Sequence, residues 1–237
     1  MSPPTSIDGT DITGATVDGT DVQQITVDGD VVFSAGPAII DDFEDGNLNE
    51  YQGDVSDFSI TSSSTISGSN SLKAVNIEGN AGGREKYIHS TSGLANYPSA
   101  GDSFSFKKRI DGAINSQSGM VFGVQASEND NYFVKIRTGS NGSIDINKDV
   151  STSSLGSNLA RSSMNINTND TLRCEIDWGS NGLISVELYN DDTNTFIGSA
   201  STTDSDYTSG GIGWLTKKRS TSGTSPEPIF FDDAVFL

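Results

Sequence analysis

Two acidic runs stand far apart in the chain: Asp41, Asp42, Glu44 and Asp45 just before Gly46, and Asp232-Asp233 near the other end. If the strands carrying them pair, several carboxylates converge, and like charges that close are costly unless a cation neutralises them. Oxygen ligands of this kind suit Ca2+, which accepts about six to eight carboxylate, carbonyl and water oxygens. Asp42, Asp45 and Asp233 are the preferred ligands of a structural calcium; the alternative is a solvated acidic rim. Aromatic rings are the second chemical resource, because sugars stack their apolar faces on them while Asp, Asn and Arg hold the hydroxyls. Tyr51, Tyr97 and Tyr207 lie near Gly/Ser/Asn/Pro-rich segments and are the glycan-binding candidates, whereas Trp214, within Gly213-Trp214-Leu215, reads as core. His89 is the one histidine, and no Gly-x-Ser-x-Gly accompanies it. Asp191-Asp192-Thr193-Asn194 and Glu128-Asn129-Asp130-Asn131 lack EF-hand spacing and read as turns.

These side chains must be held by β-structure. Ile7-Asp8-Gly9-Thr10, Val17-Asp18-Gly19-Thr20 and Val27-Asp28-Gly29-Asp30 recur every ten residues. Asp-Gly flanked by β-branched residues is a tight-hairpin pattern, so residues 1–36 read as a small β-meander. So few residues bury too little apolar surface to stand alone, which makes this module an anchor or an oligomerisation piece. Ser34-Ala35-Gly36-Pro37 closes it, and residues 38–237 form the second domain.

From Ala38 onward no helical periodicity is found; short alternating runs recur instead. The predicted strands are 38–44, 71–77, 103–110, 119–125, 132–138, 143–147, 171–178, 183–189, 195–200, 211–215 and 229–237. Two hairpins are well specified, turning at Ser140-Asn141-Gly142 and Ser180-Asn181-Gly182. In the second, Leu172, Cys174, Ile176 and Trp178 share one face and Arg173, Glu175 and Asp177 the other, the pattern of a half-buried sheet. The fold class is all-β: a two-sheet antiparallel sandwich preceded by a small meander.

With 32 acidic residues against 14 Lys+Arg, the net charge is −18. Such a surface repels nucleic acid and anionic membranes, so neither is an expected partner, and no apolar stretch reaches membrane-spanning length. The same excess keeps proteins soluble in concentrated salt, which points to a halophilic setting. Lys107-Lys108-Arg109 and Lys217-Lys218-Arg219 balance local charge, the alternative being contact with an acidic neighbour or a sulfated or uronate glycan. The one cysteine, Cys174, allows no intrachain disulfide and reads as core. Met1-Ser2-Pro3-Pro4 has no secretory-signal pattern.

Ile40-Asp41-Asp42-Phe43-Glu44-Asp45-Gly46, Val121-Phe122-Gly123-Val124-Gln125, Asn131-Tyr132-Phe133-Val134, Glu175-Ile176-Asp177-Trp178 and Phe230-Phe231-Asp232-Asp233-Ala234-Val235-Phe236 occur in that order. The set resembles the concanavalin A-like lectin/glucanase jelly rolls, laminin-G-like and carbohydrate-binding modules included. The resemblance implies that the first and last strands lie side by side, and that a structural calcium sits near that seam. Glucanases of this fold carry Glu-x-Asp-x-(x)-Glu on one strand, and retaining hydrolysis needs two carboxyls about 5–5.5 Å apart. Here Trp178, Gly179 and Ser180 stand where the second Glu belongs, so no catalytic residue and no enzyme activity is expected.

The N-terminal repeat resembles short β-modules of structural proteins of tailed viruses, particularly those infecting haloarchaea. Together the two resemblances imply a virion attachment protein (tail, fibre or capsid decoration) with a lectin-like domain directed at a host-surface glycan or glycoprotein. The implied partners are sister copies, as a trimer or pentamer, and other virion proteins. The implied location is the virion surface, after assembly in the host cytoplasm. Alternatives are a carbohydrate-binding module or glycan-processing enzyme of a halophile, and a decoration protein that binds no ligand.

Overall fold

The computed structural model describes residues 6–7, 10–11, 16–17, 20–21, 24–27, 30–34, 37–74, 85–112, 116–218 and 228–237. The chain divides into two compact units, Met1–Ala38 and Ile39–Leu237. In the first, β1 (Ser6–Ile7) pairs with β2 (Thr10–Asp11), β3 (Thr16–Val17) with β4 (Thr20–Asp21), and β5 (Gln24–Val27) with β6 (Asp30–Ser34). The partners Ile7↔Thr10, Val17↔Thr20 and Val27↔Asp30 leave two residues for each connection. The Asp-Gly dipeptides that fill those gaps lie outside the described residues. Among the described residues these strands form three two-stranded sheets. Each repeat carries its turn dipeptide in the middle, so both strands flanking it belong to the same hairpin.

The second unit runs β7 (Ile39–Asp41), β8 (Gln52–Gly53), β9 (Phe58–Thr61), β10 (Ser71–Ala74), β11 (Lys86–Ser90), β12 (Ser103–Ile110), β13 (Ser116–Val124), β14 (Tyr132–Arg137), β15 (Gly139–Lys148), β16 (Ser157–Ile166), β17 (Leu172–Trp178), β18 (Leu183–Asn190), β19 (Thr195–Thr203), β20 (Gly211–Lys218) and β21 (Ile229–Phe236). One antiparallel sheet has the order β19-β18-β17-β12-β21-β10-β9, with β7 also paired to β21. The other has the order β16-β15-β14-β13-β20-β11-β8. β7 meets the last strand through Ala234↔Asp41 and Val235↔Ile39, so the terminal strands of this unit do lie side by side.

Alternation builds the core. Leu172, Cys174, Ile176 and Trp178 are buried while Arg173, Glu175 and Asp177 face outward. Across the interior, Trp178 meets Phe122 edge-on at 5.0 Å, and Trp214 meets Phe106 at 5.7 Å. Offset and edge-on rings of this kind add to the burial of their area. The outer side of the seven-stranded sheet carries a second apolar cluster of Tyr87, Val121, Phe133 and Leu215. Val150 and Leu155, from the loop after β15, pack onto it.

Alternation also splits the basic triplet of β12. Lys107 pairs with Asp191 and Asp233, and Arg109 with Asp111. Lys108 points inward and is 0% exposed. Its Nζ donates to the Ile136 carbonyl at 2.9 Å and the Ser118 carbonyl at 3.2 Å, so a strand of one sheet is bonded to two strands of the other. Burial holds its pKa at about 7, well below the ordinary 10.5. Between those values the unfolded chain binds the extra proton, so this group's contribution to stability rises as pH climbs through that window and is absent below it. Lys108→Met should remove that rise. In urea unfolding, wild type should gain on the variant by ~1 kcal/mol per pH unit between pH 7 and 9. Parallel pH profiles would contradict this picture of Lys108.

Candidate functional site

The seam between β7 and β21 brings both acidic runs together, and each carboxylate meets a protein donor. Asp41 accepts from the Tyr51 hydroxyl at 2.5 Å and the Phe43 amide at 2.9 Å. Burial outweighs those bonds and raises its pKa to about 6. Asp232 accepts from the Ser71 hydroxyl at 2.6 Å and the Ser67 amide at 3.0 Å, and burial likewise raises it to about 6. Asp233, at a positive φ of 47°, pairs with Lys107 at 3.0 Å. Asp42 accepts from the Glu44 amide, and Asp45 from the amide and side chain of Asn47. Among the described residues no three His, Cys, Asp or Glu side chains are grouped to hold a metal. Asp42, Asp45 and Asp233 are not part of any such group.

The three candidate tyrosines separate. Tyr51 is core: its hydroxyl accepts the Trp214 indole N–H at 3.1 Å while donating to Asp41. Tyr97 is half-buried, its hydroxyl sharing a 2.7 Å hydrogen bond with Ser90 and accepting the Leu94 amide. Tyr207 is half-buried in the loop between β19 and β20. An isolated bridge, Ser99↔Ser209, and an Ala100 N–H bond to the Thr208 carbonyl tie the Tyr97 and Tyr207 loops together at one end of the sandwich.

At that end Tyr207 is held from several sides. Its hydroxyl donates to Asp149 at 2.5 Å, its amide donates to the Tyr132 hydroxyl at 3.2 Å, and Lys148 lies 5.5 Å from its ring centroid. Tyr132 donates to Asp204 at 2.5 Å, and Lys148 bridges Asp204 and the 65%-exposed Asp206. Gly123, at φ 64°, lets the loop close: a Cβ there would lie 3.1 Å from Trp178 and 3.6 Å from the Tyr207 Cβ. Burial, then the bond to Asp149, raises the Tyr207 hydroxyl above its usual range, and Tyr132 is pushed to about 12 by burial and Asp204. Against the cost of burial, Asp206 and Asp204 hold the Lys148 ammonium above its usual range. The result is a half-buried tyrosine held among charged groups.

Outward-facing Glu175 accepts from Arg173 at 2.8 Å, and Asp177 accepts from the Ser103 hydroxyl at 3.2 Å. Directly across the ladder from Glu175 stands Glu187, a neighbour that only strand register reveals. His89 is buried on the outer side of the seven-stranded sheet, 5.3 Å from the Tyr87 ring and 3.8 Å from Glu128, and burial holds its pKa down.

No family model and no curated protein matches this chain. Among solved structures, a Bacillus licheniformis β-glucanase superimposes with TM-score 0.53 at 10% identity, over 85% of this chain and 98% of that one. The GH43 BlXynB protein of Bacillus licheniformis gives 0.51 at 12% identity, over 83% of this chain and 38% of that one. Carbohydrate binding module CBM66 from Bacillus subtilis gives 0.48 at 14% identity, over 79% of this chain and 95% of that one. The likeness to the first two shows the fold: an antiparallel jelly-roll sandwich.

Tyr51→Phe keeps the ring but strips Asp41 of a donor and leaves the Trp214 N–H without its acceptor. Roughly 1–3 kcal/mol of stability should be lost. Because Asp41 then titrates higher still in the folded state, the loss should be larger at pH 8 than at pH 5. Urea unfolding at both pH values measures it; a pH-independent change of a few tenths would contradict the described hydrogen bonds.

Proposed function

We propose that residues 38–237 form a non-catalytic glycan-binding domain of a virion attachment protein. In this reading residues 1–36 anchor the domain to a particle or to sister copies. The observation that carries the glycan reading is Tyr207: a partly exposed ring, immobilised by Asp149 and Lys148, beside the exposed carboxylate of Asp206. A ring held in place loses little entropy when a sugar stacks on it, and neighbouring carboxylates accept from sugar hydroxyls. Tyr97, in the adjoining loop, extends the same end of the sandwich.

Three further features support the remainder. The seam carboxylates are already held by protein donors, so no calcium ion is assigned to them. Glu175 is followed by Trp178, Gly179 and Ser180 in place of a same-strand second Glu, which favours binding over hydrolysis. The viral, haloarchaeal assignment rests on the ten-residue repeat and the net charge of −18. A closed trimer or pentamer would convert weak sugar contacts into avidity for a host surface.

The test is retention of the full chain on immobilised neutral polysaccharide in molar salt. Wild type should be retained, and Tyr207→Ala should lose about tenfold in affinity, the value of one aromatic contact of roughly 1–1.5 kcal/mol. Equal retention of variant and wild type would remove the loop end from the reading. No retention of wild type on any neutral glycan would favour the decoration protein that binds no ligand.

A further inference from the structure

The outer face of the eight-stranded sheet carries an ordered grid. One row across β12, β17, β18 and β19 is Lys107, Arg173, Tyr189 and Phe196. The next is Ser105, Glu175, Glu187 and Ser199, and the third is Ser103, Asp177, Ser185 and Ser201. A register shift between Leu188 and Tyr189 sets Tyr189 opposite Phe196. Phe196 is 53% exposed, and its ring meets Tyr189 edge-on at 5.6 Å.

The polar groups around this aromatic pair are fixed. Arg173 lies 4.9 Å from the Tyr189 ring centroid and is bonded to Glu175 at 2.8 Å, Asp191 at 2.7 Å and Asn194 at 2.9 Å. The Tyr189 hydroxyl donates to Glu187 at 2.6 Å. Glu175 and Glu187 stand directly opposite, an arrangement that costs stability on a sheet. Half of the Phe196 surface also stays in water, so core packing explains neither feature.

We infer that this face is a second glycan subsite, selective for neutral sugars. The inference rests on the reading of the domain as glycan-binding, but it uses different residues from the loop end. Phe196, backed by Tyr189, offers a ring for the apolar face of a sugar. Glu175 and Glu187 each spend one oxygen on a protein donor, leaving Glu175 Oε2 and Glu187 Oε1 to accept from sugar hydroxyls, with the exposed Ser199 beside Glu187. Both cations are already neutralised, Lys107 by Asp191 and Asp233, Arg173 by Glu175 and Asp191. The carboxylates in excess therefore repel uronate and sulfate groups. Strand β19 runs from this platform to the loop end, and Phe196 and Asp204 are ~26 Å apart along it, so the two subsites engage separate stretches of one polymer.

Affinity electrophoresis of the full chain in molar salt tests the assignment, with mannan, neutral β-glucan and polygalacturonate as probes. At least one neutral polysaccharide should retard wild type, and polygalacturonate should not. Phe196→Ala should weaken the neutral interaction about tenfold with an unchanged unfolding midpoint, and Tyr207→Ala should act separately. Retardation by polygalacturonate above that by either neutral probe would overturn the selectivity. A Phe196→Ala protein that binds like wild type while Tyr207→Ala is weakened would overturn this subsite and leave the loop-end reading standing. Retardation of wild type by no neutral probe would overturn both.

Discussion

The indole N–H of Trp214 donates to the Tyr51 hydroxyl, which donates in turn to the buried carboxylate of Asp41. This line joins β20, inside one sheet, to β7, which is paired to the last strand of the other. Phe43, two residues past Asp41, packs 5.7 Å from the Trp214 ring. A carboxylate at that depth is tolerated only because donors surround it, and its pKa of about 6 shows that the compensation is incomplete. The geometry that closes the sandwich thus leans on a costly buried acid at the end of a line of two aromatic groups with polar tips.

That closure decides which residues are left for binding. Tyr51 is committed to the line, and the seam acids are committed to serine hydroxyls, backbone amides and Lys107. What remains available stands at the periphery: a loop end where Lys148 serves as counter-ion to Asp204 and Asp206, and a sheet face where Arg173 backs Tyr189. In both places a cation that could have met an anionic ligand is neutralised by the chain's own carboxylates. An acidic protein built this way presents hydroxyl-accepting oxygens and partly exposed rings, which is the chemistry of neutral sugars.

Much of the fold was legible. The alternation from Leu172 to Trp178 and the two-residue Asp-Gly spacing became strands and hairpins where expected. β16 (Ser157–Ile166) escaped because it is a sheet edge, rich in Ser and Asn, whose inward positions Ala160, Met164 and Ile166 are interrupted by Ser162. β11 (Lys86–Ser90) escaped because Tyr87 through Ser90 are all buried, so no polar-apolar alternation marks it. The site was less legible than the fold. Lys108 read as one of three surface cations until its strand parity turned it inward. Tyr51 read as a loop-tip ring because its partners, ten residues back and 163 residues on, cannot be seen from local sequence. Phe196 and Glu187 acquire their meaning only through register with Tyr189 and Glu175, and a one-residue bulge sets part of that register.

The central claim is that a rigid jelly roll binds neutral glycan at its periphery, without reorganising its core. Hydrogen exchange of the full chain in molar salt, with and without saturating mannan, tests it most directly. The account predicts added protection in residues 189–199 and 204–210, with the interior strands around Trp214 and Trp178 unchanged. Protection spread through the core strands, or none at all in those two segments, would contradict it.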